Sequence, residues 1–183
     1  MPQCFIESRP EFTFDDHWQV VQWDQEPLYR ASGGFGSLPQ TLASDFVGLH
    51  PAAGVHLFEL KNFAAFHHEN REKLADAGFH SALAGKVRDT LAGAVWARDR
   101  SHDHGATASL LKAMVERWVT APPQVRVVLW IEDVPAVAPP VAEHIANAVH
   151  RALKRMVGIK NVRVLDMASH ARSPLPGLTV RPV

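Results

Sequence analysis

Two short apolar runs with charges at their ends restrict this chain more than any other feature. Asp45-Phe46-Val47-Gly48-Leu49 and Val55-His56-Leu57-Phe58-Glu59-Leu60-Lys61 are separated by only His50-Pro51-Ala52-Ala53-Gly54. The length of that connection, with its Pro and Gly, predicts a β-hairpin. Side chains alternate across a strand, so Glu59 and Lys61 share one face with Val55 and Leu57. On the partner strand Asp45 shares a face with Val47 and Leu49. A charge beside a core is costly unless it is paired or coordinates a metal. Some compensation for these three side chains is therefore expected.

The rest of the chain can be placed around this hairpin. Residues 13–23 have a possible cap at Thr13, acids at Asp15 and Asp16, and Trp18, Val21 and Gln22 at helical spacing, which predicts a short first helix ended by Pro27. Residues 28–31 read as a strand entering Gly33-Gly34-Phe35-Gly36, a cluster without dinucleotide or P-loop spacing and so a hairpin or mobile loop. Leu83, Val87, Leu91 and Val95 form a helical stripe with Lys86, Arg88 and Asp89 off it. Residues 98–105 read as a loop, and 107–119 as a helix stopped by Pro122 and Pro123. Residues 125–131 suit a strand covered on both faces. Pro139 and Pro140 open a helix with Val141, Ile145, Val149 and Leu153 on one stripe, and 162–165 form the last strand.

The expected order is α-β-β-β-α-α-β-α-β, an α/β fold with a mixed sheet and helices on both faces. With 183 residues and 46% hydrophobic content, one well-buried core is expected. The prediction is a single domain over 1–183, irregular at about 1–12 and in a Pro-rich tail at about 168–183.

Phosphodiester hydrolysis needs an attacking water, neutralisation of charge on the phosphoryl oxygens and stabilisation of the departing alkoxide. A divalent ion held by Asp45 and Glu59 serves these needs by acidifying water and gripping a phosphate oxygen. Oxygen ligands at a partly open site suit Mg²⁺ or Mn²⁺ better than zinc. Lys61 beside the same phosphate can act as a clamp or orient the nucleophile.

The run S-D-F-V-G-L-H-P-A-A-G-V-H-L-F-E-L-K-N-F resembles the core of the PD-(D/E)XK nuclease superfamily, in which an acid on one strand precedes an apolar strand ending in Glu-x-Lys. Ser44 stands where the motif has proline. The resemblance implies a restriction-endonuclease-like fold and metal-dependent cleavage of nucleic acid, with DNA the preferred polymer. It assigns Asp45 and Glu59 to metal binding, Lys61 to catalysis and the Leu60 backbone carbonyl to a further metal contact. An acid from the first helix is also implied. Asp24 and Glu26 both qualify, and Glu26 is favoured. Lys86 and Arg88 become phosphate-binding candidates, and cleavage of both duplex strands would favour a homodimer.

Nineteen basic and nineteen acidic residues cancel, so the global charge does not suggest a coat for nucleic acid or anionic membrane. That balance leaves open a non-catalytic interaction module on a nuclease-like scaffold. The lone Cys4 offers neither a disulfide nor a zinc-thiolate pattern, the amino terminus lacks a signal-peptide pattern, and no run reaches the ~20 apolar residues of a membrane span. A cytoplasmic protein without a membrane partner is expected. His67, His68, His80 and the His102-Asp103-His104 run offer a zinc hydrolase as a third reading, but they lack HExxH spacing and read as exposed polar residues. Trp18, Trp23, Trp96, Trp118 and Trp130 read as core, and Glu132-Asp133 as a solvated strand end.

Overall fold

A computed structural model describes residues 1–6, 10–63, 72–120, 125–132, 136–153 and 159–183, without the side chains of 99, 101–104, 120 and 160. The strands are β1 (Gln3–Ile6), β2 (Pro10–Phe14), β3 (Gln19–Gln22), β4 (Phe46–His50), β5 (Gly54–Asn62), β6 (Val125–Glu132), β7 (Ile159–Leu165) and β8 (Leu178–Pro182). The helices are α1 (Pro27–Arg30), α2 (Ala77–Ala97), α3 (Ser101–Thr120), α4 (Pro139–Leu153) and α5 (Met167–Arg172).

The expected hairpin is β4–β5, antiparallel, with Phe46 opposite Phe58 and His50 opposite Gly54. Gly54 adopts φ 82°, which an L side chain rarely tolerates. His50 completes the turn: its Nδ1 accepts the backbone N–H groups of Ala52 and Ala53 at 3.2 and 3.0 Å. The pair sits within a five-stranded mixed sheet of order β3-β4-β5-β6-β7, in which β3, β4 and β5 are antiparallel and β5, β6 and β7 parallel. The apolar run of β6 is explained by its parallel neighbours on each side and cover on each face.

The two faces of this sheet have different cover. The long helices α2, α3 and α4 lie on one, where Val55, Leu57, Val127 and Leu129 join Leu83, Val87, Leu91, Met114, Ile145 and Val149 in an aliphatic core. The ends of the two helical stripes, Val95 and Val141, are exposed. On the other face Phe58, Val128 and Trp130 meet Phe12, Phe14 and Leu178. Those three come from a second sheet, β1-β2-β8, fully antiparallel. The expectation of helices on both faces is therefore corrected: a small sheet covers the second face, together with the short α5.

The same sheet corrects both termini. Gln3–Ile6 and the residues from Pro10 onward are strands, not irregular: Phe12 and Phe14 alternate with Glu11 and Thr13 and bury one face of β2. The tail after 168 is not irregular either: it continues α5 and adds β8, which pairs Leu178 with Phe14. The helix predicted over 13–23 is replaced by the end of β2, a turn in which Asp15 Oδ1 accepts the His17 N–H, and β3. Pro27 opens α1 instead of ending a helix, a position where its missing N–H costs nothing. Residues 28–31 are thus helical, not a strand. At Gly34 a Cβ would lie 2.7 Å from the Tyr29 carbonyl oxygen, so the glycine cluster serves close backbone packing. A helical turn at 72–75 precedes α2, and the elements before β4 differ from the expected order.

The loop predicted at 98–105 is helical, with a 3-10 turn at Arg98–Arg100 running into α3. The Arg100 guanidinium lies 4.0 Å from the Trp96 ring centroid, so a charged stretch still packs against its own helix. Pro122 and Pro123 lie outside the described residues. At the free edge of β3, the Gln3 side chain donates to the Val20 carbonyl at 3.0 Å and accepts the Val20 N–H at 2.9 Å.

Candidate functional site

The hairpin register places residue 45 opposite residue 59, one step beyond the Phe46–Phe58 pair. Two backbone links fix this end of the sheet. The Trp23 N–H donates to the Asp45 carbonyl at 2.9 Å, tying the chain after β3 to the start of β4. The Leu60 N–H donates to Asp45 Oδ2 at 2.6 Å, so the Asp45 carboxylate takes over where the β4–β5 ladder stops. A strand residue presents its N–H and C=O to the same edge, so the Leu60 carbonyl faces this gap as well.

Glu59 points into the helix layer and is 3% exposed. Lys61, on the same strand face, places Nζ 2.6 Å from Glu59 Oε1. Lys86 approaches from α2, a helix capped by Asp76, which accepts the N–H groups of Gly78 and Phe79. Burial of Leu83 and Val87 turns Lys86 toward the sheet end. Its Nζ lies 2.7 Å from Glu59 Oε1 and 3.8 Å from Asp45 Oδ1. The two ammoniums thus share one oxygen of Glu59. Its other oxygen, Oε2, is buried without a hydrogen-bond partner among the described residues, as is Asp24 Oδ1.

The electrostatics follow from this crowding. Burial raises the Glu59 carboxyl above its ordinary range, and Asp45 adds to the rise, while Lys61 and Lys86 oppose it. With two ammoniums at hydrogen-bond distance, the ionised carboxylate is the form this geometry supports at neutral pH. For Lys86, burial alone would lower the ammonium, but Glu59, Asp45 and Asp24 outweigh it and the pKa is raised. Burial also raises Asp24, against a 2.9 Å hydrogen bond from Gln25, and Asp45 repulsion adds to the shift.

The structure therefore brings together Asp45, Glu59, Lys61 and Lys86, with Asp24 beside them. Asp24, the other acid the sequence offered, feels both Asp45 and Lys86. Glu26 accepts a hydrogen bond from Thr107 Oγ1 at 3.1 Å and lines a groove of about 570 Å³ between β3 and α3, with Gln19, Gln22 and Gln25. The signal for Asp24 lay in its place directly after the Val20–Trp23 run, at the sheet end that also holds Asp45. Arg88 is separate: 61% exposed, it pairs with Asp89 at 2.6 Å. Asp89 is buried and also accepts the Leu42 N–H, so it anchors a loop.

As the side chains stand, no group of three or more His, Cys, Asp and Glu among the described residues is arranged to hold a metal ion. His80, expected to be exposed, is buried, with Nε2 2.9 Å from the Leu74 carbonyl. His67 and His68 lie outside the described residues, as do the side chains of His102, Asp103 and His104. Glu132 is not a solvated strand end: its Oε1 accepts Trp130 Nε1–H at 2.6 Å and the Met167 N–H at 3.2 Å. Asp133 lies outside the described residues. Trp18, Trp23 and Trp130 are buried, while Trp96 and Trp118 pack partly buried against the core. No described helix is long and apolar enough to cross a membrane. Comparison with protein-family models, curated proteins and solved structures found no match for this chain.

Proposed function

We propose that this protein hydrolyses phosphodiester bonds of nucleic acid with a divalent cation, using Asp45, Glu59 and Lys61. The observation that carries this reading is Glu59: a buried carboxylate beside Asp45, with one oxygen held by two ammoniums and the other without a partner among the described residues. Burial of an acceptor without a partner is costly, and a cation that meets it removes the cost. The oxygens of Glu59, Asp24 and Asp45, with the Leu60 carbonyl, are hard oxygen donors of the kind Mg²⁺ or Mn²⁺ takes, and they would have to close on the ion from their present positions.

Such an ion would supply Lewis-acid charge for a phosphoryl oxygen and lower the pKa of a bound water. The chain's own groups do the rest. Asp45 is oriented through the Leu60 N–H, and Glu59 through Lys61. Lys61, about one-third exposed, can turn its ammonium to an incoming phosphoryl oxygen without leaving the strand edge. Arg88, exposed and paired with Asp89, has no role in this reading.

The test is cleavage of single-stranded, duplex and branched DNA and RNA with Mg²⁺ or Mn²⁺. Asp45→Asn should lower the rate by about a thousandfold or more, since it removes one anionic oxygen from the cation. Cleavage that survives EDTA, or an unaffected Asp45→Asn variant, would refute the reading. A non-catalytic interaction module is favoured by one observation, that both lysines already neutralise Glu59. Absence of cleavage on every substrate with either ion would select it.

A further inference from the structure

We infer that Lys86 is an exchangeable internal cation: its ammonium holds the place between Asp45 and Glu59 until a divalent ion enters, and then moves to the rim to bind a phosphoryl oxygen. This inference rests on the metal-dependent reading above, and goes beyond it by giving metal entry and phosphate capture one shared side chain.

The argument begins with position. Lys61 touches Glu59 as a same-face neighbour on β5, a pairing strand geometry alone would produce. Lys86 comes from a different element and lies within 4 Å of both strand acids, at 2.7 Å from Glu59 and 3.8 Å from Asp45. A cation bridging two carboxylates on adjacent strands would occupy that same space.

Charge then decides the exchange. Asp24, Asp45 and Glu59 face two ammoniums, Lys61 and Lys86. A divalent ion added without displacing either would put excess positive charge into a largely buried pocket, where repulsion between cations a few ångström apart is strong. Lys86 is the one placed to yield. Its helix is fixed by Leu83, Val87 and Leu91, but the ammonium ends a flexible four-carbon stem and the side chain is 24% exposed. Leaving the acids takes it toward solvent, on the side a substrate must approach. Glu59 Oε2 and Asp24 Oδ1, both buried without a partner among the described residues, would stay behind as ligands for the ion.

The exchange predicts that removing the Lys86 charge tightens metal binding, whereas a residue that merely supported the metal site would weaken it. Calorimetric titration with Mn²⁺ should show Lys86→Met binding about tenfold tighter than wild type or more. Lys86→Gln, which keeps a hydrogen-bond donor for Glu59, should also bind more tightly and covers the case in which Lys86→Met does not fold. In the wild-type chain carrying isotope-labelled lysine, the Lys86 ε-methylene NMR signal should shift with added Mg²⁺ along the calorimetric saturation curve. Equal or weaker Mn²⁺ binding by the folded variants, or an unmoved Lys86 signal at saturation, would overturn the exchange and leave the metal-site reading standing. No Mn²⁺ binding by wild type or variants would remove both.

Discussion

Strand β5 carries two different environments on alternating residues. His56, Phe58 and Leu60 face the small sheet, where Phe14, Trp18 and Trp130 contribute rings. Val55, Leu57, Glu59 and Lys61 face the helices, and their aliphatic run ends in charge. The aromatic face is closed by edge-to-face contacts such as Phe14–Phe58 at 5.5 Å and Phe12–Trp130 at 5.1 Å. The helix face is left open at one end, and the acids and lysines gather there. One strand thus separates a face that holds the fold from a face that supports chemistry, and only a period of two allows this.

Phe58→Ala should be the most disruptive change to the closed face, costing about 3–5 kcal/mol in chemical denaturation because several rings lose a partner at once. A loss under about 1 kcal/mol would show that the face is not tightly closed. Next in size is a pH effect. Burial among Trp18 and Phe58 lowers His56 from 6.5 to about 3. The unfolded chain then takes up a proton that the folded chain refuses, so stability is fully present above pH 6.5 and falls as pH drops toward 3. The slope reaches about 1.4 kcal/mol per pH unit, and His56→Phe should remove it.

Glu59 should show the opposite sign with smaller size, because its two ammoniums offset burial. Its folded pKa is raised, so the folded chain binds the proton first, and acidification toward 4.5 relieves the buried charge. Relative to wild type, Glu59→Gln should lose that gain, and matching slopes would refute the assignment. The smallest effect belongs to Arg88→Ala, about 1 kcal/mol or less in the same denaturation experiment, since Arg88 is exposed and the buried Asp89 keeps the Leu42 N–H as a partner.

What could be read in advance was local. Pro51 and Gly54 punctuate the β4–β5 turn, and the register they set puts Asp45 across from Glu59. The apolar run of β6 and the Pro start of α4 are signals of the same kind. Long-range pairings were not legible. Phe14 meets Leu178 only because the two chain ends come together, and the short strands around Pro10 and Pro182 look irregular in isolation. Trp18, Val21 and Gln22 matched a helical period by coincidence, while the stronger period-two signal of Phe12 and Phe14 lay just before them. Lys86 was visible as a polar residue off an apolar stripe, but its reach to both acids depends on how α2 docks across the sheet.

The Gln3 amide at Val20 has a consequence for how this sheet ends. One primary amide carries the same donor and acceptor as a peptide group, so a single side chain stands in for one residue of a sixth strand. An open edge invites a second chain to extend the ladder, and here the inviting backbone pair is already answered from within the molecule. Gln3→Ala would therefore be read less in folding free energy than in colloidal behaviour, as a rise in self-association seeded along β3.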